Sequence, residues 1–266
     1  IYKRVNRAGL HTEGLFLEPL ASSEAVLTDE EKEAGVVLVD IGGGTTDIAI
    51  FQDGVIRHTA VIPFGGNVIT ENIKEGCTIS RSHAELLKIR FGSALASENQ
   101  ENEIVSIPGL RGREPKEISI RNLANIIQAR MEEIIEHVYY EIKNSGFEKK
   151  LVAGIVITGG GAQLRHIVQL VEFITGMDTR IGYPNEHLAK GADELKSPMY
   201  ATSVGLVIKG FLEMEKKKLA QKKLRDKVEF EKKGKSDKLV PPSRTGGGFF
   251  DAIKKIFEEE PDNELK

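Results

Sequence analysis

The stretch that most constrains this chain is Val36–Phe51, VVLVDIGGGTTDIAIF. Two apolar runs flank Gly42, Gly43 and Gly44, with Asp40 before them and Thr45, Thr46 and Asp47 after. Glycine is the residue that loses most freedom on ordering, so three in a row between two good strands need a reason. Without a Cβ they can take positive φ and let the backbone approach another group closely. Turns of this kind aim successive N–H groups into one concavity, which suits an anion. Thr45 and Thr46 add hydroxyl donors. Asp40, at the strand end, is placed to hold Mg²⁺ through water, because that ion keeps much of its hydration. Asp47 is a structural or outlying acid. A hairpin that merely needs a tight turn is the plain alternative. The combination of acid, glycines, threonines and acid between two apolar strands favours a phosphate cradle. It is not a GxxxxGK[ST] loop, nor a GxGxxG turn.

The surrounding order of segments is that of an interrupted α/β unit. Ile1–Gly9 reads as the end of a helix, and Leu10–Glu18 as a strand. Leu20, Ala21, Val26 and Leu27 have helical spacing. Val36–Ile41, Ile48–Phe51 and Val55–Ile62 form an antiparallel meander, its second turn marked by Asp53-Gly54. Residues 65–147 differ. They hold a short helix ending at Gly76 and a second helix capped by Ser80 or Ser82, with Ser82-x-x-Glu85 matching a capping box. Two short strands follow, then one long helix over Arg121–Asn144 with apolar residues at three- and four-residue steps. From Gly154 the α/β grammar resumes. GIVITGGG is a buried strand opening onto glycines, AQLRHIVQLVEFIT is a helix, DTRIGYP is a short strand, and YATSVGLVIKGF is a helix of small residues suited to close packing on a sheet.

A second glycine motif, IVITGGGAQL over Ile155–Leu164, contains Gly159, Gly160 and Gly161. In AELLK, Glu85 and Lys88 lie three apart and share a helix face. An ordinary exposed ion pair is the plain reading of that pair. Together DIGGGTTD, AELLK and TGGGAQL, in that order, resemble the actin-like ATPases, whose fold is ribonuclease H-like α/β. LEPLASSEAVLTDEEKEAG, AELLKIRFGSA, IIQARMEEI and RIGYP narrow the resemblance to the FtsA family of bacterial division proteins, over most of Leu10–Phe211. The resemblance implies that Gly42, Gly43, Gly44, Thr45 and Thr46 meet the phosphates of ATP. It implies that Gly159, Gly160 and Gly161 let the backbone approach base and ribose, and that Glu85 and Lys88 face the nucleoside. It assigns residues 35–64 and 148–212 to the nucleotide-binding subdomain, and 1–34 to the end of an earlier insert domain with its connecting helix. It makes 65–147 an inserted subdomain that binds the C-terminal peptide of the tubulin-like FtsZ. Arg121 and Arg130 on the long helix are the cations offered to such an acidic peptide, against the plain reading of a solvated helix face. The family's first domain, with the other phosphate loop, is expected before Ile1, so this chain holds one wall of the cleft. Self-association into protofilaments, contacts with other division proteins and residence on the cytoplasmic side of the plasma membrane at the division site are also implied.

Glu213–Gly247 carries twelve Lys/Arg and six Asp/Glu, a net charge of 12 − 6 = +6, and is poor in large apolar residues. It reads as a disordered linker over 213–248. Phe249, Phe250, Ile253, Ile256 and Phe257 then recur at helical steps spanning roughly 120°. A helix over 249–260 is marginal alone in water and suits an anionic membrane surface. Docking on the protein's own body is the alternative. The whole-chain net charge of −3 points to no nucleic-acid partner, and the single Cys77 excludes disulfide and CxxC metal frameworks. No apolar run approaches the roughly 20 residues of a membrane span, and no signal peptide is recognised. No residue can be placed as a general base at a γ-phosphate, so hydrolysis is expected to be slow and ATP to act as a conformational ligand. A pilus-assembly ATPase or a heat-shock-type chaperone of the same fold is the competing reading.

Overall fold

The computed structural model describes residues 1–100, 102–109, 114–184 and 188–236. Three helices come first: α1 (Tyr2–Arg7), α2 (Glu18–Val26) and α3 (Asp29–Ala34). Strands β1 (Val36–Ile41), β2 (Thr46–Gln52) and β3 (Val55–Ile62) follow, then α4 (Gly66–Cys77) and α5 (Arg81–Phe91). Next are β4 (Ile104–Ile107), β5 (Lys116–Ser119) and α6 (Ile120–Asn144). The chain then forms β6 (Ile155–Thr158), α7 (Ile167–Thr175), β7 (Thr179–Ile181) and α8 (Ala201–Ser236).

The main sheet has five strands in the order β3-β2-β1-β6-β7. β1, β2 and β3 are antiparallel neighbours, while β6 runs parallel to β1, and β7 parallel to β6. Strands covered on both faces read as continuous apolar runs, and β1 is such a strand. Val37, Val39 and Ile41 face a core shared with α4, α5, α6 and α7. Val36 and Leu38 face the opposite core, shared with α2 and α8. The β2–β3 turn has Asp53 at φ 56° and Gly54 at φ 70°, the pair of left-handed residues that a two-residue hairpin demands. β4 and β5 form a separate two-stranded antiparallel sheet.

The long helix does not stay within the inserted block. Leu123, Ile127, Met131, Ile134, Ile135, Val138 and Ile142 are buried in the same core as β1, β2 and β6. The α6 stripe therefore binds the inserted elements to the sheet.

Several expectations need correction. Residues 10–17 form no strand, and α2 begins at Glu18 instead. The apolar residues there alternate poorly, and Pro19 at the start of α2 favours a helix N-terminus. The helical stretch after Pro19 is two helices, because Thr28 starts a new one with a complete capping box to Glu31. The cap of α5 is Ser80, which accepts from the His83 N–H. Ser82 lies inside the helix, and the Glu85 carboxylate is engaged elsewhere. The helix after the second glycine motif begins only at Ile167, since a 3₁₀ turn covers Gly160–Gln163 and His166 sits in the left-handed region at φ 61°. Glu213–Ser236 is helical, as the last part of α8, where the composition predicts a disordered linker. Lys, Glu, Leu, Ala, Gln and Arg are strong helix formers, and their propensity prevails over low apolar content. Ile1–Glu213 forms one compact unit. The tail residues Phe249, Phe250, Ile253, Ile256 and Phe257 lie outside the described residues. Among the described residues no helix is long and apolar enough to cross a membrane.

Candidate functional site

The parallel pairing of β1 with β6 builds the site. Asp40 stands opposite Thr158 in the register, so both glycine turns leave the sheet from adjacent strand ends. In open α/β sheets ligands bind outside the carboxyl ends of the strands. A cleft of about 320 Å³ lies there, lined by Gly42, Gly43, Gly160 and Gly161, with Lys88 and Glu85 from α5 beside them.

The first turn is closed by the Gly42 N–H donating to the Thr45 carbonyl at 2.9 Å. Its outward carbonyls are held by the start of α4: the Gly66 N–H donates to Gly42 at 2.9 Å, and the Asn67 N–H to Gly43 at 2.8 Å. These are two of the donors that a helix N-terminus leaves without internal partners. The approach is so close that a Cβ on Gly65 would lie 2.5 Å from the Gly42 carbonyl oxygen. None of Gly42, Gly43 and Gly44 takes positive φ, so they serve close approach and openness, not a left-handed bend. A Cβ on Gly44 would meet nothing, while one on Gly43 would reach Asn67. Thr45 is exposed and donates to Asp47 at 2.9 Å. Thr46, expected as a phosphate donor, does not serve the cleft: it is buried, and its hydroxyl donates to the Phe64 carbonyl at 2.9 Å. Alternation along β2 turns it inward.

The second turn packs on the first. Gly159 sits at φ 82°, and a Cβ there would come within 2.4 Å of Asp40 Oδ1 and 2.6 Å of the Ile41 carbonyl oxygen. A Cβ on Gly161 would strike Ile41 Cγ2 at 2.4 Å, whereas one on Gly160 would meet nothing. Gly159 and Gly161 therefore bring the two turns together, and Gly160 leaves the cleft surface bare.

Lys88 is a fixed group. Its ammonium donates to the Gly66 carbonyl at 2.9 Å and to Thr70 Oγ1 at 2.8 Å, and pairs with Glu85 at 2.9 Å. Burial pushes the Glu85 carboxyl up, but its bonds from Thr70 and Lys88 outweigh that and leave its pKa lowered. Both residues line the cleft, and they form an anchored pair.

Asp40 is almost fully buried. Its Oδ2 accepts from Ser22 Oγ at 2.9 Å and from Thr202 Oγ1 at 3.3 Å. Burial raises its pKa, the two hydroxyls pull it back, and Asp47 across the strand pair raises it further. Glu18 completes the acidic corner: burial, then Asp47 and Asp40, raise its pKa, against the Thr202 hydroxyl, which lowers it. Among the described residues no group of three or more His, Cys, Asp or Glu could hold a metal directly. A single carboxylate under a glycine turn fits Mg²⁺ held through water, not an all-protein cage.

Arg130 is committed. Its Nε donates to Asn72 Oδ1 on α4 at 2.8 Å, and its Nη1 pairs with Glu133. It braces α4 on α6, and its charge is already neutralised. Arg121 lies in the first turn of α6.

No local pattern in the sequence marks Ser22, Thr202, Glu18 or Asn67 as site residues. Ser22 and Thr202 are 180 residues apart, and no short motif joins them. Asn67 follows FGG, which reads as a simple terminator of the meander.

A sheet of this order, with paired glycine turns at its strand ends, defines an actin-like ATPase fold. MreB5 of Spiroplasma citri, solved bound to ADP, superimposes with a TM-score of 0.65 at 23% identity, covering 82% of this chain and 65% of that one. The model of the family "Cell division protein FtsA" matches residues 37–205. The FtsA protein of Pseudomonas aeruginosa is 44% identical over 211 residues, 79% of this chain and 50% of that protein. That of Escherichia coli K12 is 40% identical over 214 residues, 78% of this chain and 51% of that protein. This chain belongs to the FtsA family. It spans about half the length of the curated relatives it matches.

Proposed function

We propose that this chain supplies one wall of an ATP-binding cleft in a division adaptor. The observation that carries this reading is the juxtaposition of Gly42-Gly43 and Gly160-Gly161 across one cleft, with the Lys88–Glu85 pair beside it. MreB5 has been solved with both ADP and AMPPNP, which supports a nucleotide as the ligand here. The backbone of Gly43, Gly44 and Thr45 would cradle phosphate, Asp40 would hold Mg²⁺ through water, Glu85 and Lys88 would face the nucleoside, and Gly160 and Gly161 would border the base. Bound nucleotide orders the cleft, and the ordered protomers self-associate. The inserted elements, with the first turn of α6 at Arg121, would receive the acidic FtsZ peptide. The segment 249–260 would tie the assembly to anionic lipid at the inner face of the plasma membrane, where other division proteins gather.

The test is titration of the 266-residue chain with a fluorescent ATP analogue and Mg²⁺. Gly43→Val, which fills the cleft from an exposed position, should weaken binding at least about tenfold, the equivalent of one lost charge-assisted hydrogen bond. Unchanged affinity in that variant would place the ligand elsewhere.

A further inference from the structure

Three elements, one of them more than 160 residues away along the chain, meet on one oxygen atom. Ser22 of α2 and Thr202 of α8 both reach Asp40 Oδ2, and their hydroxyls lie 2.9 Å from each other. Ser22 is wholly buried. The packing that brings them together is tight: a Cβ on Gly205 would fall 1.8 Å from the Ala21 carbonyl oxygen. Lys209 of α8 adds an ion pair to Glu24 of α2 at 2.8 Å. On the other side of the carboxylate, Oδ1 lies under Gly159, where no side chain fits. One oxygen is therefore tied from beneath, and the other is turned towards the second glycine turn.

We propose that Ser22 and Thr202 are positioning residues for the cation of the bound nucleotide: they pin Asp40 Oδ2 so that Oδ1 stays turned towards the Gly159 turn. The inference rests on the nucleotide reading above. Neither hydroxyl touches the ligand. Each acts through Asp40, as the outer partners of metal-holding groups do. A buried carboxylate with no hydrogen bonds would shed its charge or rotate. The two hydroxyls hold Oδ2 in place, and a carboxylate of fixed orientation is what a hydrated Mg²⁺ requires.

The experiment compares affinity for the fluorescent ATP analogue with Mg²⁺ and with EDTA, in the native chain and in the Ser22→Ala/Thr202→Val double variant. The native chain should bind more tightly with Mg²⁺. The double variant should lose about tenfold of that gain and keep its EDTA affinity. Thr202→Ser, which restores the hydroxyl alone, should retain most of the Mg²⁺ gain. If the double variant melts earlier but keeps the whole Mg²⁺ gain, the hydroxyls only stabilise a buried acid and the proposal is overturned. If the double variant does not fold, Thr202→Val alone decides by the same comparison with Thr202→Ser. If the native chain binds no nucleotide in either condition, the nucleotide reading fails and this one falls with it.

Discussion

At the scale of single residues, two adjacent glycines illustrate separate duties. Gly159 is held at positive φ over Asp40 and Ile41, while Gly160 faces open space. Gly159→Ala adds left-handed strain of about 1–2 kcal/mol to a clash with backbone. A loss of about 2–4 kcal/mol is expected in denaturant unfolding, the range where overpacking adds to strain. Gly160→Ala should stay within about 0.5 kcal/mol of the native protein, as surface changes do, yet weaken nucleotide binding. Equal stability losses in both would contradict this division. The presence of a glycine motif is legible in TGGGAQL, but not which glycine serves packing and which serves the ligand. That depends on β1 lying alongside, and Ile41 and Asp40 are more than 110 residues upstream. Thr46 illustrates the same limit: in the sequence it is one of two adjacent hydroxyls, and only its place on β2 turns it towards Phe64.

At the scale of elements, caps and latches decide where helices start and how they are held. Ser80→Ala should destabilise α5 by about 1 kcal/mol, because it removes the cap to the His83 N–H. Ser82→Ala should have almost no effect on thermal unfolding. The start of α3 is latched to β7. Arg180 Nε donates to Glu31 Oε1 at 2.7 Å and its Nη2 to Glu31 Oε2 at 2.6 Å, while the Thr28 N–H donates to Oε2 at 2.9 Å. Burial by itself would raise the Glu31 carboxyl, but the Arg180 fork and the Thr28 N–H outweigh it, and the pKa falls below its ordinary 4.5. In the window between the lowered value and 4.5, the unfolded chain binds more protons than the folded one. The stability contributed is thus present above pH 4.5 and lost as pH falls through the folded value. Glu31→Gln should therefore unfold earlier than the native protein at pH 7, and the gap should narrow as the pH is taken below 4.5. A gap independent of pH would remove ionisation from the explanation. The capping box TDEE is legible in the sequence; the Arg180 fork, 149 residues away, is not.

At the scale of the whole molecule, α8 closes the α2 side of the sheet through a contact that admits no side chain. Gly205→Val places atoms where the Ala21 backbone already lies. It should destabilise by about 3 kcal/mol or more, at the upper end of overpacking, visible as a lowered melting temperature. The membrane reading is tested by flotation with anionic vesicles: the intact chain should float, and a version ending at Gly248 should not. Flotation of both would move the lipid contact out of Phe249–Phe257. The sequence by itself determined the α/β class, the meander, the long amphipathic helix, the two glycine turns and the family. All of these rest on local periodicity and short motifs, which act between near neighbours in the chain. Only the tertiary structure decided that the two turns share one cleft, that α6 belongs to the main core as much as to the insert, and that Asp40 is held from beneath by Ser22 and Thr202. Those facts follow from the parallel pairing of β1 with β6 and the docking of α8 on α2, contacts between segments more than a hundred residues apart that no local pattern encodes.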